Sequence, residues 1–164
     1  MFQNQQLFDD VIREVNAWIP SKEYGHERKF QDELQDFLDE NLNSGGDPLM
    51  GNSRDIPVSK EHGKSKADIA VDDSVGIEMK RELSNSQNKK LRGQIEDYLD
   101  NYNYVIVLAC GIKDKDGWRK LKNKYQGHQG FDGGQVEFIW KKKENYGKDQ
   151  VNNSSNDPLG GSLF

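Results

Sequence analysis

Residues 67–83 read Ala67-Asp68-Ile69-Ala70-Val71-Asp72-Asp73-Ser74-Val75-Gly76-Ile77-Glu78-Met79-Lys80-Arg81-Glu82-Leu83. Apolar side chains recur at every second position, which is the period of a β-strand. Residues 67–71 and 75–81 are therefore predicted strands, and Asp72, Asp73 and Ser74 between them suit a hairpin turn. Alternation puts Asp68 and Ala70 on one face of the first strand, with Ile69 and Val71 on the other. In the second strand Glu78 and Lys80 share a face, opposite Ile77 and Met79. A hairpin makes these strands neighbours, so Asp68, Glu78 and Lys80 are expected to meet on one side of a sheet. Two carboxylates beside an ammonium suit a hard cation. Mg²⁺ takes oxygen ligands, keeps several waters and commonly binds one or two carboxylates together with substrate phosphate. Such an ion polarises the phosphate and lowers the pKa of bound water, while a neighbouring lysine orients that water or offsets developing charge.

Toward the N-terminus, Leu7, Phe8, Val11, Val15 and Trp18 recur three to four apart and predict an amphipathic helix over residues 5–18, stopped by Pro20. A second helix is predicted over 26–42, with Phe30, Leu34, Phe37, Leu38 and Leu42 on one face. Residues 43–52 are rich in Gly, Ser and Asn and read as loop; Ile56 and Val58 suggest a short strand. Toward the C-terminus, Ser86 or Asn88 is the expected cap of a helix carrying Leu91, Ile95 and Leu99. Residues 104–109 (YVIVLA) form the continuous apolar run of a strand buried on both faces, closed by Gly111. A short basic helix over 116–125 and a last strand over 135–140 follow. The order α-α-β-β-β-α-β-α-β predicts a three-layer α/β/α domain over 1–140, with a mixed sheet of about five strands and an N-terminal helical part over 1–47. Residues 141–164 have almost no apolar content and are expected to be a disordered tail.

Composition narrows the classes. The chain has 164 residues, enough for one ordinary domain. It is 33% hydrophobic and 31% charged, with a mean hydropathy of −0.99. It offers no membrane-length apolar run and no signal-peptide pattern, so an intracellular, cytoplasmic protein with no membrane partner is expected. A single cysteine, Cys110, excludes a disulfide framework or a cysteine-built metal site within this chain. His26, His62 and His128 are scattered and read as surface residues. No Gly-x-x-x-x-Gly-Lys-Ser/Thr run occurs, so no ATP site is expected. The net charge of −5 is uneven: residues 1–47 hold eleven acids against four Lys/Arg, whereas residues 48–140 hold fourteen against fifteen. Residues 113–124 carry Lys113, Lys115, Arg119, Lys120, Lys122 and Lys124 against Asp114 and Asp116. A solvated helix face is the bland reading of that run; a track for a DNA backbone is the functional one.

Asp68 followed ten positions later by Glu78-Met79-Lys80 resembles the signature of the PD-(D/E)XK nuclease superfamily, and residues 26–110 follow that family's α-β-β-β-α-β order. Ala67 stands where a proline often precedes the first acid. Gln94-Ile95-Glu96-Asp97-Tyr98 resembles the Gln-x-x-x-Tyr motif of exonuclease-like members, with Gln94 and Tyr98 on one helical face. His26-Glu27-Arg28-Lys29-Phe30 resembles the Glu-Arg-x-apolar start of Holliday-junction resolvases, which points to Glu27 as the helix acid, with Glu33 as its substitute. The resemblance implies a restriction-endonuclease-like core and a metal-dependent nuclease that hydrolyses DNA phosphodiester bonds, by endo- or exonucleolytic attack. Asp68, Glu78, the Met79 carbonyl and Glu27 would hold Mg²⁺, with Mn²⁺ as a substitute. Lys80 would position or activate water, and Gln94 would support the site. By analogy, dimers are a common arrangement for two-strand cleavage. The alternatives are a non-catalytic nucleic-acid- or protein-binding module on the same fold, and an assembly protein that docks a partner through its C-terminal tail.

Overall fold

A computed structural model describes residues 2–44, 55–61, 63, 65–127 and 134–148. Among these, α1 (Phe2–Ala17) and α2 (Glu27–Asn43) precede three strands, β1 (Val58–Lys60), β2 (Ile69–Val71) and β3 (Val75–Leu83). Then come α3 (Asn85–Asn101), β4 (Tyr104–Ile112), α4 (Lys115–Tyr125) and β5 (Gln135–Lys141), closed by one 3₁₀ turn at Lys143–Asn145. The five strands form one mixed sheet in the order β1-β2-β3-β4-β5. β1 to β3 pair antiparallel, and β3 to β5 pair parallel.

Alternation assigns the two faces. Ile69, Val71, Ile77, Met79, Ile106 and Leu108 pack with Phe8, Val11, Phe30 and Leu34 of α1 and α2. Ala70, Val105, Val107 and Ala109 pack with Leu91, Ile95 and Tyr98 of α3 and with Trp118, Leu121 and Tyr125 of α4. β4 is buried from Tyr104 through Gly111, as its unbroken apolar run requires. Gly111 belongs to the strand rather than ending it, and its φ of +85° lies opposite Glu82 at +51° where the ladder skips one residue on each side.

The β2–β3 turn is tight. Asp72 and Asp73 both have positive φ, +52° and +53°, and Ser74 N–H donates to the Val71 carbonyl at 3.1 Å. This is the mirror-image turn whose twist matches a hairpin, and aspartate is one of the few side chains that tolerate it. Gly76 makes the close approach that fixes the next layer. A Cβ there would sit 2.7 Å from the Tyr102 ring. Tyr102 in turn accepts a hydrogen bond from Ala67 N–H at 3.2 Å and so pins the chain one residue before Asp68. Gly76→Ala is expected to cost about 1–3 kcal/mol through overpacking, read as a lower urea midpoint at unchanged slope.

Two local expectations change. The α3 cap is Ser84, whose hydroxyl accepts from Gln87 N–H while the Gln87 side chain accepts from Ser84 N–H. Asn88 instead reaches across to Asp114, the N-cap of α4. Residues 141–148, placed in a disordered tail by their composition, are ordered. Lys141 closes β5, Tyr146 packs beside Phe30 at 5.8 Å, and Gly147 N–H donates to the Pro20 carbonyl at 2.9 Å. An aromatic anchor, a backbone bond and the ion pairs of Lys143 with Glu23 and Glu82 hold a segment whose average polarity hides them. The rest of that segment, most of the 43–52 loop, His62 and His128 lie outside the described residues. Among the described residues no helix is long and apolar enough to cross a membrane.

Candidate active site

The β2–β3 ladder ends at Ile69↔Ile77, whereas β3 runs on to Leu83. Beyond Ile77 the N–H groups on the β2 side of β3 have lost their strand partner. In a strand these groups recur at every second residue, so Met79 and Arg81 present the next two. Asp68 Oδ2 accepts from Met79 N–H at 2.8 Å, and Glu27 Oε2 accepts from Arg81 N–H at 3.1 Å. Two carboxylates from distant segments thus finish the open edge of one strand. The Met79 carbonyl lies on that same edge, because a strand residue's N–H and C=O point the same way. Glu27 is the first residue of α2, and the Arg81 guanidinium donates to the Tyr24 carbonyl just before that helix at 2.7 Å, which ties the helix start to β3.

Glu78 projects from β3 into the α3 face and is 2% exposed. Its Oε2 accepts from Tyr98 Oη at 2.7 Å and lies 3.3 Å from Lys80 Nζ. Its Oε1 is buried and has no hydrogen-bond partner among the described residues. Asp68 faces it. Burial first, then the Glu78 charge and a hydrogen bond shared with Glu78, push the Asp68 carboxyl from 3.8 up to about 8. Asp68 is therefore held toward its protonated form. Burial also raises the Glu27 carboxyl, opposed by the Arg81 N–H and Lys80 and reinforced by Glu78. Burial, then the Glu78 charge, drives the Tyr98 phenol upward, so it remains a donor.

Asp68, Glu78 and Lys80 are brought together on one side of the sheet, with Glu27 one step along the strand edge. Glu33 is placed elsewhere, accepting from Trp18 Nε1 at 3.2 Å, Ser21 N–H at 2.8 Å, Ser21 Oγ at 2.6 Å and Tyr24 Oη. Gln94 stands one turn before Tyr98 on α3, and its Oε1 is buried with no hydrogen-bond partner among the described residues. The direct contact from α3 is made by Tyr98, which spacing had put on the right face without giving it a role. Tyr98→Phe removes a buried hydrogen bond to a charged group, so a stability loss of about 1.5–3 kcal/mol is expected by denaturant unfolding in EDTA.

Among the described residues no group of three or more His, Cys, Asp or Glu side chains is gathered to hold a metal. Two carboxylates with one orphaned oxygen suit a cation that completes its shell with carbonyl and water oxygens. The six basic residues of the 113–124 segment are all exposed, and Trp118, Leu121 and Tyr125 on the opposite face of α4 are buried. Comparison with protein-family models, with curated proteins and with solved structures returns no match.

Proposed function

We propose that the protein is a metal-dependent nuclease of the PD-(D/E)XK type, built on a restriction-endonuclease-like core and acting on DNA phosphodiester bonds. The observation that carries this reading is the Asp68–Glu78 pair: two acids pressed together in a half-dry pocket, one oxygen unsatisfied, an ammonium 3.3 Å away. Such a pair is costly without a cation between its members. The α2-β1-β2-β3-α3-β4 order and the helix acid at Glu27 support it further.

Asp68, Glu78 and the Met79 carbonyl would hold Mg²⁺ or Mn²⁺, and Glu27 would tune that site from α2. The ion supplies Lewis-acid polarisation of the scissile phosphate and a more acidic bound water. Lys80 holds an ammonium where it orients a water and offsets charge on the phosphate. Tyr98 fixes the Glu78 rotamer, and Gln94 lines the same helix face one turn away. The exposed cations of α4 contact phosphates without reading sequence.

The test incubates plasmid and linear DNA with the protein in Mg²⁺ or EDTA, beside Asp68→Ala and Lys80→Ala. Cleavage is expected only with Mg²⁺ and only by the wild type. Cleavage that survives both substitutions defeats the assignment. A Mn²⁺ thermal-shift titration separates the catalytic reading from a non-catalytic module, which would show no stabilisation by the ion.

A further inference from the structure

The parallel ladder places one more side chain level with the site. Lys80 on β3 is the register partner of Ala109 on β4, and Ala109 is the partner of Trp140 on β5. The three stand in a row across the same face, so the Cα atoms of Lys80 and Trp140 are separated by two strand spacings, about 10 Å. Ala109, the smallest of the three, sits between them. Trp140 is partly exposed, while the other tryptophans, Trp18 and Trp118, are 1% and 6% exposed.

Trp140 also walls an open cleft of about 480 Å³ at the C-terminal ends of β3 and β4, shared with Glu82, Lys113, Lys115, Lys142, Lys143 and Glu144. Four lysines against two acids leave the cleft positive. Lys142 Nζ lies 5.1 Å and Lys115 Nζ 5.8 Å from the Trp140 ring centroid. Glu82 is already paired with Lys113 at 3.4 Å and with Lys143. The Trp140 indole N–H is buried and has no hydrogen-bond partner among the described residues, so it is the rest of the ring that meets the cleft. An aromatic ring flanked by ammonium groups, in a concave and basic surface, suits a nucleic-acid strand: bases stack on the ring and phosphates meet the lysines.

We infer that this cleft binds a single-stranded segment of the nucleic acid, with an unpaired base stacked on Trp140 and its flanking phosphates on Lys115 and Lys142. The inference rests on the nuclease reading for the direction of the strand, which passes from the Lys80 end of the row to the cleft. A base buried in a duplex cannot reach the ring, so the substrate class is single-stranded DNA or a frayed or branched junction that offers unpaired bases.

The probe is a short oligothymidylate added to the full chain in EDTA, where cleavage is silent. Trp140 is the most exposed tryptophan of the three, so stacking is expected to quench the intrinsic fluorescence. Trp140→Ala is expected to abolish the quench and weaken binding roughly tenfold. Lys115→Ala with Lys142→Ala is expected to lower the slope of log affinity against log salt by about one to two. A duplex of the same length is expected to leave the tryptophan signal unchanged. Absence of a quench in the wild type overturns the inference, as does unaltered affinity in Trp140→Ala or equal quenching by the duplex. A wild type that quenches but never cuts overturns the nuclease reading alone, and one that cuts without quenching overturns the cleft alone.

Discussion

Metal-free Asp68→Asn protein is expected to melt at a higher temperature than the wild type at pH 8, and to cut no DNA. The reason lies in the raised carboxyl of Asp68. The folded-state value of Asp68 is raised from 3.8 to about 8. A raised value contributes stability that is full below the unfolded value and is lost as pH climbs through the folded one. Metal-free wild type should therefore weaken between about pH 4 and pH 8, whereas the amide of the variant has nothing to titrate there. That amide can still accept from Met79 N–H and can donate to the Glu78 carboxylate. The gap between the two proteins should widen across this window, by about 2–4 °C for each kcal/mol relieved. Saturating Mg²⁺ should reverse the order, because only the wild type keeps both anionic ligands. Loss of a partner one shell further out costs about 10–100-fold in metal affinity or activity, and loss of the ligand itself should exceed that. Melting curves from pH 4 to pH 9, in EDTA and in Mg²⁺, decide the matter; equal curves in EDTA would rule out a raised Asp68.

Lys80→Ala should separate chemistry from ion binding. Removing one preorganised cationic donor is expected to cost about 10²–10³ in single-turnover cleavage. Mn²⁺ affinity should not fall, since the ammonium lies 3.3 Å from Glu78 Oε2 and competes for that oxygen. In EDTA the variant should be less stable, because Glu78 is 2% exposed and loses its only ion-pair partner among the described residues. Breaking a buried pair typically costs about 3–5 kcal/mol, and the partial exposure of Lys80 places the effect at or below the lower end. Retention of full cleavage would rule out a role for the ammonium in the reaction.

The convergence of Asp68, Glu78 and Lys80 was legible because it follows from a period of two and one short turn. Both are local properties, and burial of the odd-numbered positions Ile77 and Met79 left the register little freedom. The choice between Glu27 and Glu33 was not legible. Both lie on α2, and what separates them is non-local: the Trp18–Tyr24 segment folds back and takes Glu33, while β3 takes Glu27. The contact of Tyr98 with Glu78 was half legible, since spacing fixed the helix face but not which side chain on it reaches the sheet. Trp140 read only as the end of the last strand, because its alignment with Lys80 depends on the register of two successive parallel ladders. The order of residues 141–148 was hidden for a compositional reason: lysines and asparagines outweigh Tyr146, and composition does not show that Lys143 has acids to pair with.

The carboxylates of Asp68 and Glu27 also have a purpose independent of the proposed cleavage. An unpaired strand edge is a template onto which a neighbouring molecule can add a strand of its own. By occupying the amides of Met79 and Arg81, the two acids close that template where β2 stops short. Variants that remove both side chains would free these amides at once, and edge-to-edge self-association would be the hazard to watch during their purification.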